Sequence, residues 1–167
     1  MADTQDVSHS IWNETLESLY QDLEAAKPAP AGVTAAAVSA RLGLGLLIKT
    51  LEVARKRKNF SGDAKQAGAL IEDARRESAK LAAAADEDIT ADAARRRSEI
   101  PMQAAGAAEA GLALCEDARG IVTGAITADL EAAALLLQAG LRAIQVCVRS
   151  NLKDPRVQTI RSGHSGQ

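Results

Sequence analysis

Aromatic side chains are nearly absent from this 167-residue chain: Trp12, Tyr20 and Phe60 are the whole set. A core without large rings must draw its stability from long, close helix contacts, because alanine, roughly a fifth of the chain, favours helix but buries little area per residue. A second copy that doubles the buried surface would help such a core, so a homodimer is expected. Histidine is as scarce. His9 and His164 both lie in terminal stretches, which argues against a histidine general base or metal ligand. The two cysteines, Cys115 and Cys147, share no metal-ligand spacing and read as buried reduced thiols.

Charge of one sign is also missing. A net charge of −2 and a pI near 5.7 exclude the basic face of a dedicated nucleic-acid binder and leave neutral or acidic small molecules as ligands. The N-terminus Met-Ala-Asp-Thr-Gln-Asp has neither the basic nor the apolar region of a signal peptide, and no eighteen-residue apolar run is free of charge. A soluble cytoplasmic protein with no membrane span is therefore expected. Phosphate-loop, zinc-helix and nucleophile-elbow motifs are absent as well, so no metal and no tightly bound cofactor is expected.

What is present is helical periodicity. After a polar arm over residues 1 to 9, Ser10 reads as an N-cap, and Trp12, Leu16, Leu19, Tyr20 and Leu23 recur as the packing face of a first helix that runs to Lys27. Pro28-Ala29-Pro30 then breaks the helix. A long, nearly all-round apolar helix follows from about Thr34 to Lys58, with Gly43 and Gly45 marking a close approach by another helix or a ligand. Its Arg55-Lys56-Arg57-Lys58 end suits the C-terminal dipole. A third helix starts near Asp63, with Ala67, Leu70, Ile71, Ala74, Leu81 and Ala85 inward, and ends in Asp86-Glu87-Asp88, which reads as solvated because neighbouring positions point to different faces. Thr90 is placed as the cap of a further helix and Pro101 as the first residue of the next, which carries Met102, Leu112, Leu114 and Cys115 and stops at Gly120. Thr127 to Lys153 forms a last long helix, almost uncharged until it ends in Arg149-Ser150-Asn151-Leu152-Lys153. No segment alternates as a strand does. The chain is thus expected to be all-α, a bundle of about five to six helices with two long central apolar helices, one domain over 10–155 and a tail over 156–167.

Two stretches resemble the cyclodeaminase/cyclohydrolase family, which comprises the C-terminal half of formiminotransferase-cyclodeaminase and stand-alone methenyltetrahydrofolate cyclohydrolases. Pro28-Ala29-Pro30-Ala31-Gly32-Val33-Thr34 followed by a long helix with a basic end and Phe60 is similar to the family's Pro-x-Pro-Gly-Gly-Gly-Ser turn and helix. Asp129, Val148, Arg149, Asn151 and Leu152 fall without a gap in the frame of its last helix, which begins with Ser-Asp and ends in Asn-Val-Arg-x-Asn-Leu. Departures accompany the matches: only Gly32 remains of the three glycines, Cys147 replaces an asparagine, Phe60 stands where tyrosine is common, and the segment after Asp88 is shorter.

The resemblance implies a dimeric all-α protein with a folate pocket between the long helices. The substrate would be a tetrahydrofolate derivative, either hydrolysed from the 5,10-methenyl to the 10-formyl form or deaminated from the 5-formimino form. Such chemistry needs a partner for the cationic bridge, proton transfer to or from water, and basic groups for the glutamate tail. Asp129 is assigned to catalysis, and Gly32, Thr34, Lys56, Lys58, Arg149 and Asn151 to substrate binding. The alternative is a non-catalytic relative acting as a dimeric helical binding or scaffold module.

Overall fold

The computed structural model describes residues 10–57, 60 and 62–153. A short 3-10 turn, Ile11–Asn13, precedes α1 (Leu16–Glu24), α2 (Gly32–Arg55), α3 (Ala64–Thr90), α4 (Ala93–Arg97) and α5 (Glu99–Arg119). A second 3-10 turn, Gly124–Ile126, leads into α6 (Thr127–Lys153). No strand occurs among the described residues. The four long helices α2, α3, α5 and α6 form a bundle in which α2 packs on α3 and α6, and α5 packs on the same two. Thr34 meets Asp88 while Arg41 meets Ser78, so α3 runs antiparallel to α2. Gly32 meets Cys147 while Gly43 meets Ala133, so α6 does too. This is the up-and-down ring that short connections favour.

Alanine and glycine make this ring tight. A Cβ on Gly43 would stand 2.7 Å from the Ala133 carbonyl oxygen, and one on Gly140 would stand 2.7 Å from that of Ala36. The backbones of α2 and α6 therefore touch at two points along their crossing, as small residues permit. Leu44, Leu47, Leu51, Ile71, Leu81, Ile100, Leu137 and Ile144 are fully buried between the layers. Cys115 is buried among them, and burial pushes its thiol up to about 11. Cys147, expected to be buried, is only half-buried.

Several sequence-based boundaries move. The first helix does not start at Ser10, because Ser10 caps only the 3-10 turn and Thr15 caps α1 anew by accepting from the Ser18 N–H at 3.0 Å. Its expected packing face is also corrected. Leu19 is buried and Trp12 half-buried, but Leu16 is 78% exposed and Tyr20 57%, since α1 lies on the rim with no second layer over it. Gly43 marks a helix contact as expected, whereas nothing lies within 4 Å of a Cβ on Gly45. Met102 is exposed at 60%. Thr90 closes α3 instead of capping α4; Asp92 caps α4, accepting from the N–H groups of Ala94 and Arg95. Pro101 is the third residue of α5, after Glu99 and Ile100. The arm over 1–9, the tail over 156–167, His9 and His164 lie outside the described residues.

Candidate functional site

At one end of the bundle the start of α2 lacks a side-chain cap of its own, because Ala31 occupies the capping position. A neighbouring helix supplies the cap instead. Asp88, in the last turn of α3 and 5% exposed, accepts from the Thr34 backbone N–H at 3.1 Å and from the Thr34 hydroxyl at 2.6 Å, both through Oδ2. A buried carboxylate is tolerable there because it sits at the positive pole of α2 and its hydrogen bonds are charge-assisted. The expectation that Asp86-Glu87-Asp88 is solvated is therefore corrected. The three positions do point to different faces, and each face finds a partner. Asp86 accepts from the Ser10 hydroxyl at 2.9 Å and the Ile11 N–H at 3.0 Å, Glu87 pairs with Arg95, and Asp88 turns into the bundle.

α6 closes over this end. A Cβ on Gly32 would stand 3.0 Å from the Cys147 sulfur, so the one retained glycine gives α6 room to approach. Burial raises the Cys147 thiol above its ordinary value, and the negative charge of Asp88 adds to the effect. One turn further on, the Asn151 side-chain amide donates to the Arg97 carbonyl at 3.0 Å and ties α6 to the end of α4. Arg149 is exposed beside it.

The opposite end is built from the close of α2 and the start of α6. Asp129, in the first turn of α6, pairs with Lys49 at 3.5 Å, and both side chains are open to solvent, at 44% and 63% exposure. Lys56 is exposed at the end of α2. Arg57 donates to the Thr123 carbonyl at 3.0 Å and so fastens the link before α6. Gly124 takes a φ of +75° in that link, a conformation that side chains with a Cβ disfavour.

The expected site residues thus divide between two places. Gly32, Thr34, Arg149 and Asn151 share one end, Asp129 and Lys56 share the other, and Lys58 lies outside the described residues. The helix between Thr34 and Lys49 rises ~22 Å, so within one chain Asp129 and the Gly32 turn do not line one pocket. Sequence reasoning missed Asp88 as a site-end residue. A signal existed, for Leu81, Ala85 and Asp88 continue the buried stripe of α3 at four- and three-residue steps.

A cavity of about 680 Å³ lies elsewhere, on the flank of α2. Trp12, Leu16, Val38, Leu42, Gly45 and Leu136 line it, and Arg41 stacks 3.8 Å from the Trp12 ring centroid. No group of side chains that could hold a metal ion occurs among the described residues.

A family model described as formiminotransferase-cyclodeaminase matches residues 15–91 and 90–162. The two blocks meet where α3 ends, at the segment that looked short in the sequence. A comparison with curated protein sequences found no match. Among solved structures, formiminotetrahydrofolate cyclodeaminase from Thermotoga maritima superposes with a TM-score of 0.81 at 18% identity, over 92% of this chain and 86% of that one. Fold and family model together place the chain in the formiminotransferase-cyclodeaminase family.

Proposed function

We propose that this protein is a folate-dependent one-carbon enzyme, which hydrolyses 5,10-methenyltetrahydrofolate or deaminates 5-formiminotetrahydrofolate. The observation that carries the reading is the family match over both polar helix ends, the Gly32 turn and the helix from Asp129 to Asn151. The similar Thermotoga structure bears the name of a formiminotetrahydrofolate cyclodeaminase, which supports the same substrate class.

In the hydrolytic direction a water oxygen adds to the methenyl carbon while its proton passes to a base. The resulting hydroxyl gives up its proton to form the carbonyl as the bond from that carbon to N5 breaks, N5 takes one proton in exchange, and the formyl group stays on N10. We assign Asp129 to proton transfer or to the counter-charge of the cationic bridge, since its carboxylate is solvent-facing and within reach of a ligand. Arg149 and Lys56, which follows the end of α2, suit the carboxylates of a folate tail, as does the charge of Lys58, which lies outside the described residues. Gly32 and Thr34 shape the turn against which the ring system would lie.

A second reading, a non-catalytic relative that serves as a helical binding or scaffold module, draws on the crowding at Gly32. The Cys147 sulfur fills the space beside that glycine, and Asp88 already engages the N–H and hydroxyl of Thr34. Loss of methenyltetrahydrofolate absorbance, followed with purified protein, separates the two. Acceleration over buffer at micromolar enzyme is the expected result. No acceleration with retained folate binding in calorimetry selects the second reading, and neither turnover nor binding removes folate from the account.

A further inference from the structure

Arg41 is the single charge on α2 between Gly32 and Lys49, and neither polar end of the bundle uses it. It stands ~10–12 Å along the helix from both Thr34 and Lys49. Its side chain is held on two sides. The guanidinium lies 3.8 Å from the centroid of the Trp12 ring, and Nε donates to the Ser78 hydroxyl at 3.3 Å. Trp12 is itself fixed to α3, because its indole N–H donates to the Ala82 carbonyl at 3.1 Å while the Ser10 hydroxyl and the Ile11 N–H donate to Asp86. A guanidinium stacked and hydrogen-bonded in this way has given up its side-chain freedom before any ligand arrives. Its two terminal nitrogens meet no acceptor among the described residues.

This fork is set in an apolar wall. Arg41 lines the 680 Å³ cavity together with Leu16, Leu19, Val38, Leu42 and Leu136, and of these Leu16 and Leu42 are exposed. Gly45 lines it too, and nothing lies within 4 Å of a Cβ built there. Glycine weakens a helix relative to alanine. At Gly43 the backbone of α6 requires it, but at Gly45 no neighbour in the chain does, whereas an occupant of the cavity would. The other charged residue on the cavity, Glu14, accepts from the Ser18 hydroxyl at 3.2 Å. Apolar walls with a few oriented polar groups, in a volume of about 300–1,000 Å³, are the usual make-up of a small-molecule site. A fixed guanidinium with parallel N–H donors matches a carboxylate.

We propose that this cavity binds an apolar monocarboxylate of medium-chain fatty-acid size. The carboxylate sits on the terminal nitrogens of Arg41, and the hydrocarbon body lies along Leu16, Leu42 and Gly45. A dicarboxylate or a phosphate ester would bring a second charge against apolar walls with no partner for it. The site is separate from both polar ends of the bundle and does not rest on the folate reading.

Trp12 is the only tryptophan in the chain, so its emission reports on the site directly. Decanoate titrated into the full-length protein is expected to change that emission saturably. Decanol, with the same body and no charge, and decylamine, with the opposite charge, should bind at least about tenfold more weakly. Arg41→Met keeps a stem against Trp12 and removes the fork, so it should weaken decanoate at least about tenfold and leave decanol unchanged, with unaltered helical circular dichroism. Gly45→Leu fills the cavity from a position that has room for the side chain, and should weaken both ligands. Equal affinity for decanoate and decanol, or an Arg41→Met protein that still prefers decanoate, overturns the role of Arg41. Emission that decanoate leaves unchanged overturns the site, including where a second copy of the chain fills the cavity, and so does a Gly45→Leu protein that binds as wild type does. Displacement of decanoate by 5-formyltetrahydrofolate in calorimetry would give the cavity to folate and overturn its separateness. Decanoate binding in a protein that neither binds nor turns over folate removes the folate reading and leaves this site standing.

Discussion

The two ends of this bundle hold their carboxylates in opposite ways. Asp88 is buried, accepts two hydrogen bonds from Thr34 and completes a helix start that has no cap of its own. Asp129 is solvent-facing, in a long ion pair with Lys49. Burial of an ionised group is costly unless every partner is in place, so Asp88 is committed to the fold, while Asp129 remains available to a ligand. The Asp88 carboxylate is thus a structural clasp, and the Asp129 carboxylate is the one open to chemistry.

Removing each carboxylate should break this comparison apart. Asp88→Ala leaves the N–H and hydroxyl of Thr34 without their acceptor and is expected to cost about 1–3 kcal/mol. Asp129→Ala loses an exposed pair, and its cost is expected to stay within about 1 kcal/mol. Urea unfolding of the two variants beside wild type measures both. Equal costs would erase the distinction between the ends.

A smaller effect sharpens it. Burial and the Asp88 charge both raise the Cys147 thiol, so the thiolate is disfavoured in the folded protein. Asp88→Asn removes the charge and lets the pKa fall toward its ordinary value, while burial stays. The thiolate fraction at pH 8 then rises, and alkylation of Cys147 should quicken by a few-fold, short of tenfold. An unchanged rate, in a variant that melts like wild type, would separate Asp88 from Cys147.

Much of the fold could be read from the residues. The last helix matches its expected span, Thr127–Lys153, because an N-terminal acid and a long uncharged stretch define it. α2 differs only in its ends, Gly32 and Arg55 in place of Thr34 and Lys58. α1 was misread because periodicity says that a helix has an apolar face, not that a neighbour covers it, and Leu16 and Tyr20 stay exposed. Asp88 was misread for a related reason. Adjacent acids look solvated in a sequence, and only the arrival of an uncapped helix start, 54 residues away in the chain, turns one of them inward. The division of Asp129 from Gly32 was equally hidden, since family motifs give residues but not the antiparallel course that separates them.

Turnover of Asp129→Asn relative to wild type, measured as methenyltetrahydrofolate absorbance loss with Tm recorded on the same samples, tests the account most directly. The expected result is an unchanged Tm with kcat reduced by at least about 100-fold, as loss of a positioned acid–base group entails. Undiminished turnover at an unchanged Tm would contradict the assignment of chemistry to the exposed end.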